Sequence, residues 1–536
     1  MRPRPFLQGA GFATLYIALF AGDFLNPTLG DAYHRFFPLT TIYRAIFLLT
    51  LLLWVVGGLT FFKIEHLSAR WKRIFWLLPI VLLPWLFFRS MSSISSESAT
   101  STLPITMLRL GRWITLAFAA VASLLLIAKP RIYDRCVTGV RTCYMLASFG
   151  LFLIIPRIGI HALKSGPPEQ AGFHRDRLPD VSPSAPRIVW VLMDELSYDQ
   201  VFDSRQPDVL LPNFDRLAQA SVVFSDLQPP AATPGPGSAT EDLLPSLMLG
   251  RVIVDLRKPY PGPPSYRSVS GGAWQSFSER DTIFADAHSL GWTTGIAGWY
   301  NPYCRLLPHV LDRCIWFYSE PLHSDLSGSL STRKSVAENM AAMLPLSFRL
   351  NSVMHIPTDD PIQTHIDDYV SVMAQTRDLI QDSRIRFAFI HLPIPHPPGI
   401  YDRVHHVVRS DGSYLDNLVL ADQTLAAVQA AIQSTPAAAN TTLIVSSDHS
   451  WRPWVWQPLQ KEEERGTHGG TFDPRAVLMV HLPGQDTGQV ISKPVSVLIA
   501  HNIVESLLRG QSFAPTDLAE IVGHQPQGRA NVQVGN

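Results

Sequence analysis

The sequence predicts two architectures in one chain: an α-helical membrane domain of about five spans, then an α/β domain with a largely parallel central sheet. Three observations predict this. Apolar segments of near-span length crowd the first 163 residues. Beyond them, short apolar runs of strand length alternate with helical patterns. Acidic, hydroxyl and imidazole side chains stand just after those runs, where sites form in parallel sheets.

Bulk properties set the frame. A chain of 536 residues is too long for one ordinary core. Its 44 basic and 44 acidic residues cancel, which argues against a general nucleic-acid binder. Charged residues make up 16% of the chain, against about 25% in a soluble domain. The deficit falls before residue 165.

Five apolar segments occupy that region, at 6–22, 45–62, 74–88, 113–128 and 143–163. A span needs about 20 mostly apolar residues. The second is the cleanest, the third carries Pro79 and Pro84, and the fifth has Pro156 and Arg157. Buried helices of a soluble core are the alternative, and a cleaved signal peptide is the other reading of the first segment. Lys63, Arg70, Lys72 and Arg73 follow the second segment, and Lys129, Arg131, Arg135 and Arg141 follow the fourth. The positive-inside rule assigns these loops, with Arg2 and Arg4, to the cytoplasm. An odd number of spans then places everything after Leu163 outside, so the protein is expected in the membrane with a periplasmic or extracellular domain.

Residues 164–186 are polar and proline-rich and read as a linker. The α/β domain is expected over 187–515, with a weakly ordered tail at 516–536. Within the domain, 188–193 (IVWVLM), 293–299, 387–390, 442–445 and 476–480 read as strands. Residues 213–220, the TIFADAHSL segment and 414–432 read as helices. Cys136 and Cys143 are expected to be free thiols. Cys304 and Cys314 lie in the exported part, where a short-loop disulfide is expected and two buried thiols are the alternative.

Three motifs carry chemistry. Asp194-Glu195 ends the first strand, and two carboxylates there repel unless a cation or proton intervenes. A capping Asp beside a solvated Glu is the bland reading. Thr240 opens TEDLLPSLMLG, where a hydroxyl can meet a cation and a helix N-terminus together. An ordinary Thr cap is its alternative, and Thr233 and Ser238 in the preceding irregular stretch are rival hydroxyls. Asp448-His449 ends LIVSSDH, a common metal pair. His391 and His396 in HLPIPHPP and His468 in GTHGG add imidazoles near strand ends.

From Arg187 to Gln511, these motifs in this order resemble the sulfatase-like branch of the alkaline phosphatase superfamily. That branch includes arylsulfatases, lipoteichoic acid synthase and lipid A phosphoethanolamine transferases. The resemblance rests on VLMDE, TEDLLPSLMLG, FIHLPIPHPP, YLDNLVLADQTL, SSDH, and THGG followed by RAVLMVHLPG. The expected multi-span anchor resembles the two transferase groups. Glu195 matches their acidic metal ligand after the first strand, and Asp194 an extra carboxylate that sulfatases have. Thr240 matches the nucleophile, and Asp448 and His449 match the metal pair. His396 and His468 match histidines that contact phosphoryl oxygens or a second metal, and His391 the first His of that segment. Sulfatases carry a Cys or Ser that becomes formylglycine; Thr240 offers no such activation. Leu243 and Ile394-Pro395 depart from the transferase pattern.

The resemblance implies a metal-dependent transferase, with a Zn or Mn ion and room for a second at Asp194. A phospholipid head group, phosphoethanolamine or phosphoglycerol, passes through phospho-Thr240 to an envelope glycan or lipid. The alternatives are a hydrolase of sulfate or phosphate esters and a non-catalytic envelope scaffold.

Overall fold

The structure is a computed structural model. It describes residues 4–25, 33–34, 39–77, 79–80, 129–163, 172–229, 240–258, 263–268, 271–318, 332–343, 361–452, 456, 473–511 and 518. The chain forms two compact units. One is Met1–Glu169 with Pro321–Thr358; the other is Gln170–Glu320 with Asp359–Asn536.

The first unit is helical: α1 (Arg4–Phe20), α2 (Thr40–Glu65), α3 (Pro130–Ala147) and α4 (Leu151–Leu163). α1 and α2 cross where small residues meet. A Cβ on Gly9 would lie 2.4 Å from the Gly58 backbone nitrogen, so only glycine permits this approach. Trp54 Nε1 donates to Phe6 O at 3.0 Å across the same contact. The hydroxyls of Thr14, Thr50 and Thr60 donate to the carbonyls four residues earlier. That local bond lets a polar side chain sit in an apolar helix.

Several expectations about this unit change. Among the described residues, two helices are long and apolar enough to cross a membrane, Thr40–Glu65 and Pro130–Leu163. The five expected spans are therefore not seen as five: the segment at 6–22 forms a 17-residue helix, that at 113–128 lies outside the described residues, and most of that at 74–88 does too. Arg131, Arg135 and Arg141, expected in a loop, lie inside α3. Pro130 starts that helix at a position that needs no N–H. Cys136 and Cys143 are free, as expected. Residues 332–343, expected in the α/β domain, fall in the helical unit; there Tyr16 Oη donates to Met343 O at 2.6 Å.

The second unit is built on a nine-stranded sheet. Its strands are β1 (Gly172–His174), β2 (Arg187–Met193), β3 (Val222–Phe224), β4 (Thr294–Trp299), β5 (Arg313–Phe317), β6 (Phe387–Leu392), β7 (Thr441–Ser446), β8 (Leu478–His481) and β9 (Gln489–Ile491). The order is β1-β5-β4-β6-β2-β7-β8-β3-β9. β5, β4, β6, β2 and β7 run parallel. β1 and β8 run against their neighbours. β1 corrects the linker expectation, because residues 172–174 join the sheet edge. The expected tail lies outside the described residues apart from Leu518, which is buried.

Helices cover both faces of this sheet: α5 (Pro212–Gln219), α6 (Thr240–Leu249), α7 (Ile283–Ser289), α8 (Pro361–Gln381), α9 (Tyr414–Gln433) and α10 (Ile499–Leu508). Every residue of β2 is buried, which is why it reads as an unbroken apolar run. Val189, Val191 and Met193 pack with Leu379, Ile380, Leu418 and Leu425 of α8 and α9. On the other face, Trp190 meets Phe389 edge-on at 5.1 Å, and Phe284 of α7 stacks on Phe387 at 5.2 Å. Asp422, inside α9, accepts the Asn213 and Phe214 amides at 2.9 Å and so caps α5. Cys304 and Cys314 form a disulfide tying the turn 303–306 to β5.

Candidate active site

β4, β6, β2 and β7 are parallel neighbours, so their carboxyl ends emerge side by side. Leu392 stands opposite Met193, and Ser446 opposite Leu192. The residues just past those pairs therefore meet. Ser447 secures the meeting: its hydroxyl accepts the Leu196 amide at 2.9 Å and donates to His449 O at 2.7 Å.

The cluster is Asp194, Asp448, His449, His391 and Thr240, all buried. Thr240 opens α6. Its hydroxyl donates to Asp194 Oδ2 at 3.3 Å and lies 3.3 Å from His449 Nε2. His449 Nε2 is 3.2 Å from Asp448 Oδ2 and 3.6 Å from Asp194 Oδ1. His391 Nε2 is 3.7 Å from Asp194 Oδ2. Asp194, Asp448 and His449 each offer a ligand atom within 4.8 Å of the others.

These side chains fit a divalent cation. Asp194 Oδ1, Asp448 Oδ2 and His391 Nε2 are buried without a hydrogen-bond partner, and such lone pairs are costly unless a ligand takes them. His449 Nδ1 donates to Ser450 O at 2.9 Å, which leaves Nε2 as the lone-pair nitrogen facing the cluster. Mixed carboxylate and imidazole donors suit a divalent metal ion. The charge balance among the described residues agrees: buried Asp194, Glu195 and Asp448 stand with one guanidinium, that of Arg452, and one divalent ion would close the difference.

Without an ion, burial shifts each of these groups toward its neutral form. The Asp194 carboxyl is pushed well above the usual range by burial and then by the Asp448 charge. Burial lowers His449, brings His391 down to about 4 and holds His396 well below the ordinary histidine value. The three imidazoles are thus neutral ligands or bases at pH 7.

The structure places Glu195 outside the cluster. Expected to hold the metal, it points its carboxylate elsewhere: Oε1 accepts Arg452 Nε, and Oε2 accepts Trp456 Nε1 at 2.9 Å. Its φ of +67° lies in the left-handed region, costly for a residue with a Cβ. Two bonds hold that conformation: Tyr414 Oη donates to Glu195 O at 2.9 Å, and the Glu195 amide donates to Asp448 Oδ1 at 3.3 Å. The turn sends Asp194 into the cluster and Glu195 away from it.

His396 is only half-buried. Its ring packs against Trp299 at 5.1 Å and His365 at 6.1 Å. Nδ1 donates to Pro397 O at 2.6 Å, so Nε2 is an acceptor. That geometry suits a base. His468, Thr233 and Ser238 lie outside the described residues.

Sequence reasoning missed Arg452, Trp456, Tyr414, Asn417, Tyr303 and His365. Asn417 holds the HLPIPHPP loop, accepting the Ile400 amide at 2.8 Å and donating to the carbonyls of Pro395, His396 and Pro398. Tyr303 Oη lies 2.8 Å from His391 Nδ1. The available signal was the YLDN start of α9, whose Ser413 and Asp416 form a capping box. A tight helix start facing a histidine loop marks residues that position it.

No protein-family model matches this chain, and no curated protein matches it in sequence. Solved structures similar to it include Ps i-CgsB in complex with k-i-k-neocarrahexaose: 15% identity over 62% of this chain and 73% of that one, TM-score 0.39. A phosphonate monoester hydrolase of Agrobacterium radiobacter is 15% identical over 64% and 78%, TM-score 0.37. A protein in the alkaline phosphatase superfamily from Vibrio parahaemolyticus is 13% identical over 64% and 71%, TM-score 0.36.

Proposed function

We propose that this chain is a metal-dependent phosphoester enzyme that works through a covalent phosphothreonine at Thr240. The observation that carries this reading is the convergence of one hydroxyl on Asp194 and His449, beside buried lone pairs that nothing else satisfies. Asp194, Asp448 and His449 would hold the ion, with Thr240 and His391 beside it. A bound divalent cation lowers the hydroxyl pKa and neutralises charge on phosphoryl oxygens.

The chain's own groups supply the rest. Thr240 Oγ1 attacks phosphorus; its proton leaves toward Asp194 Oδ2, and the bond to the ester alcohol breaks. The departing alkoxide takes a proton from water. In the second step an acceptor hydroxyl attacks phospho-Thr240 and gives its proton to His396 Nε2, and the Thr240 oxygen leaves, taking back its proton from Asp194 Oδ2; the proton on His396 then passes to the hydroxide left by the first step. The α6 N-terminus favours anionic oxygens at this position. A threonine has no route to a formylglycine, which favours phosphate over sulfate esters.

The acceptor separates two readings. Two span-capable helices in the same chain support a membrane phospholipid as donor and an envelope glycan or lipid as acceptor. Water as acceptor makes the same site a hydrolase. The test is peptide mass spectrometry of detergent-purified protein mixed with phosphatidylethanolamine or phosphatidylglycerol and Mn²⁺ or Zn²⁺. A head-group adduct on Thr240, absent from Thr240→Ala, is expected. Release of phosphate from model esters with neither lipid adduct would replace the transferase by the hydrolase. A cellular role that survives Thr240→Ala would make the chain a scaffold.

A further inference from the structure

Arg452 has no part in the steps above, yet among the described residues it is the one guanidinium paired with a carboxylate of the strand-end motif. We propose that Arg452 binds the non-bridging oxygens of the phosphoryl group in transit, with Glu195 and Trp456 forming the clamp that aims it. The inference rests on the phosphoester reading of Thr240.

The mount is rigid and one-sided. Arg452 uses Nε on Glu195 Oε1, and Trp456 secures the other oxygen. The Glu195 backbone is fixed at both N–H and C=O, by Asp448 and Tyr414. The terminal Nη groups donate to no residue among the described ones, and the side chain keeps 15% of its surface open. Glu195 follows Asp194 directly and its amide donates to Asp448 Oδ1 at 3.3 Å, so the guanidinium it holds stands beside the carboxylates around the place a phosphoryl group must occupy. A planar fork anchored at Nε can offer both Nη groups to two oxygens of a tetrahedral anion. A purely structural ion pair gains little from burial and gives no reason to hold Glu195 at positive φ.

The test uses full-length protein in detergent with Mn²⁺. Turnover of bis(p-nitrophenyl) phosphate, orthovanadate affinity by calorimetry and bound manganese are measured for wild type, Arg452→Ala and Arg452→Lys. Arg452→Ala should lower kcat/KM about 100-fold and weaken orthovanadate at least roughly tenfold, while keeping its manganese. Millimolar guanidinium should restore part of the lost turnover. Arg452→Lys keeps the charge but loses the fork, and should fall between the two; it carries the test alone if the alanine variant does not fold. Unchanged orthovanadate affinity in both variants overturns the inference, as does a loss explained wholly by lost manganese. A wild type that holds manganese but neither turns over the ester nor binds orthovanadate overturns the phosphoester reading itself.

Discussion

Strand β2 has opposite chemistry at its two ends. At its entry Arg187 is buried, with Nε donating to Ile385 O at 3.0 Å and Nη2 to Ile380 O at 2.6 Å. Those carbonyls lie at and just past the C-terminal end of α8, where partial negative charge gathers. Even so, burial lowers the Arg187 pKa to about 10. At its exit Asp194 and Asp448 keep oxygens with no partner, a few ångströms from each other's neighbours. One end sets its charge against backbone carbonyls, with Arg187 Nη1 alone left without a partner; the other gathers unpartnered oxygens of Asp194 and Asp448 with the unpartnered His391 Nε2. The difference teaches where to look for a ligand: at the end where several unsatisfied acceptors converge.

The sharpest way to break this contrast is at the exit. Asp448→Asn should cut turnover by roughly 10³-fold or more. The metal-free variant should melt no lower than metal-free wild type, because a buried repulsion is gone. Added Mn²⁺ should raise the melting temperature of wild type but not of the variant. A variant that melts much lower without metal would mean that Asp448 is a structural group.

The matching change at the entry is Arg187→Met. It should destabilise the chain by about 3 kcal/mol, because carbonyls lose a charged donor in a dry site. Urea unfolding of the α/β unit measures this, and kcat of the folded fraction should hold. A fall in kcat with stability unchanged would erase the distinction between the ends.

The smallest effect lies between them. Asn417→Ala removes the side chain that ties Ile400 and three carbonyls of the His396 loop. It should cost about 1–2 kcal/mol of stability and roughly tenfold in turnover, through a mispositioned His396. Hydrogen exchange confined to residues 393–400 should rise. Exchange spreading into β6 would show that Asn417 holds the sheet and not only the loop.

Much of the α/β unit was legible because its signals are local. IVWVLM, FAFI and LIVS are strands since each is short, apolar and β-branched or aromatic, and each is buried on both faces. Residues that follow such strands share one edge of a parallel sheet, so Asp194, His391, Asp448 and His449 could be grouped without coordinates. The first segment of the helical unit was harder to read. Hydropathy marks an apolar helix but not its length: 4–20 closes a turn short of a span, whereas α3 and α4 extend the predicted fifth segment back to Pro130.

The sequence by itself determined the strand order of chemistry: carboxylates, then hydroxyl, then carboxylate with imidazole, each placed by the run before it. It also offered the Cys304–Cys314 disulfide as one of two readings, which the structure bears out. Only the tertiary structure decided which of two adjacent carboxylates enters the cluster. Asp194 and Glu195 are equivalent in a string. They differ because Arg452 and Trp456, more than 250 positions away, bind one of them, and because Tyr414 and Asp448 hold the turn at positive φ. Side-chain direction at a strand end is set by backbone torsion and by partners distant in sequence, and neither is written in the neighbouring residues.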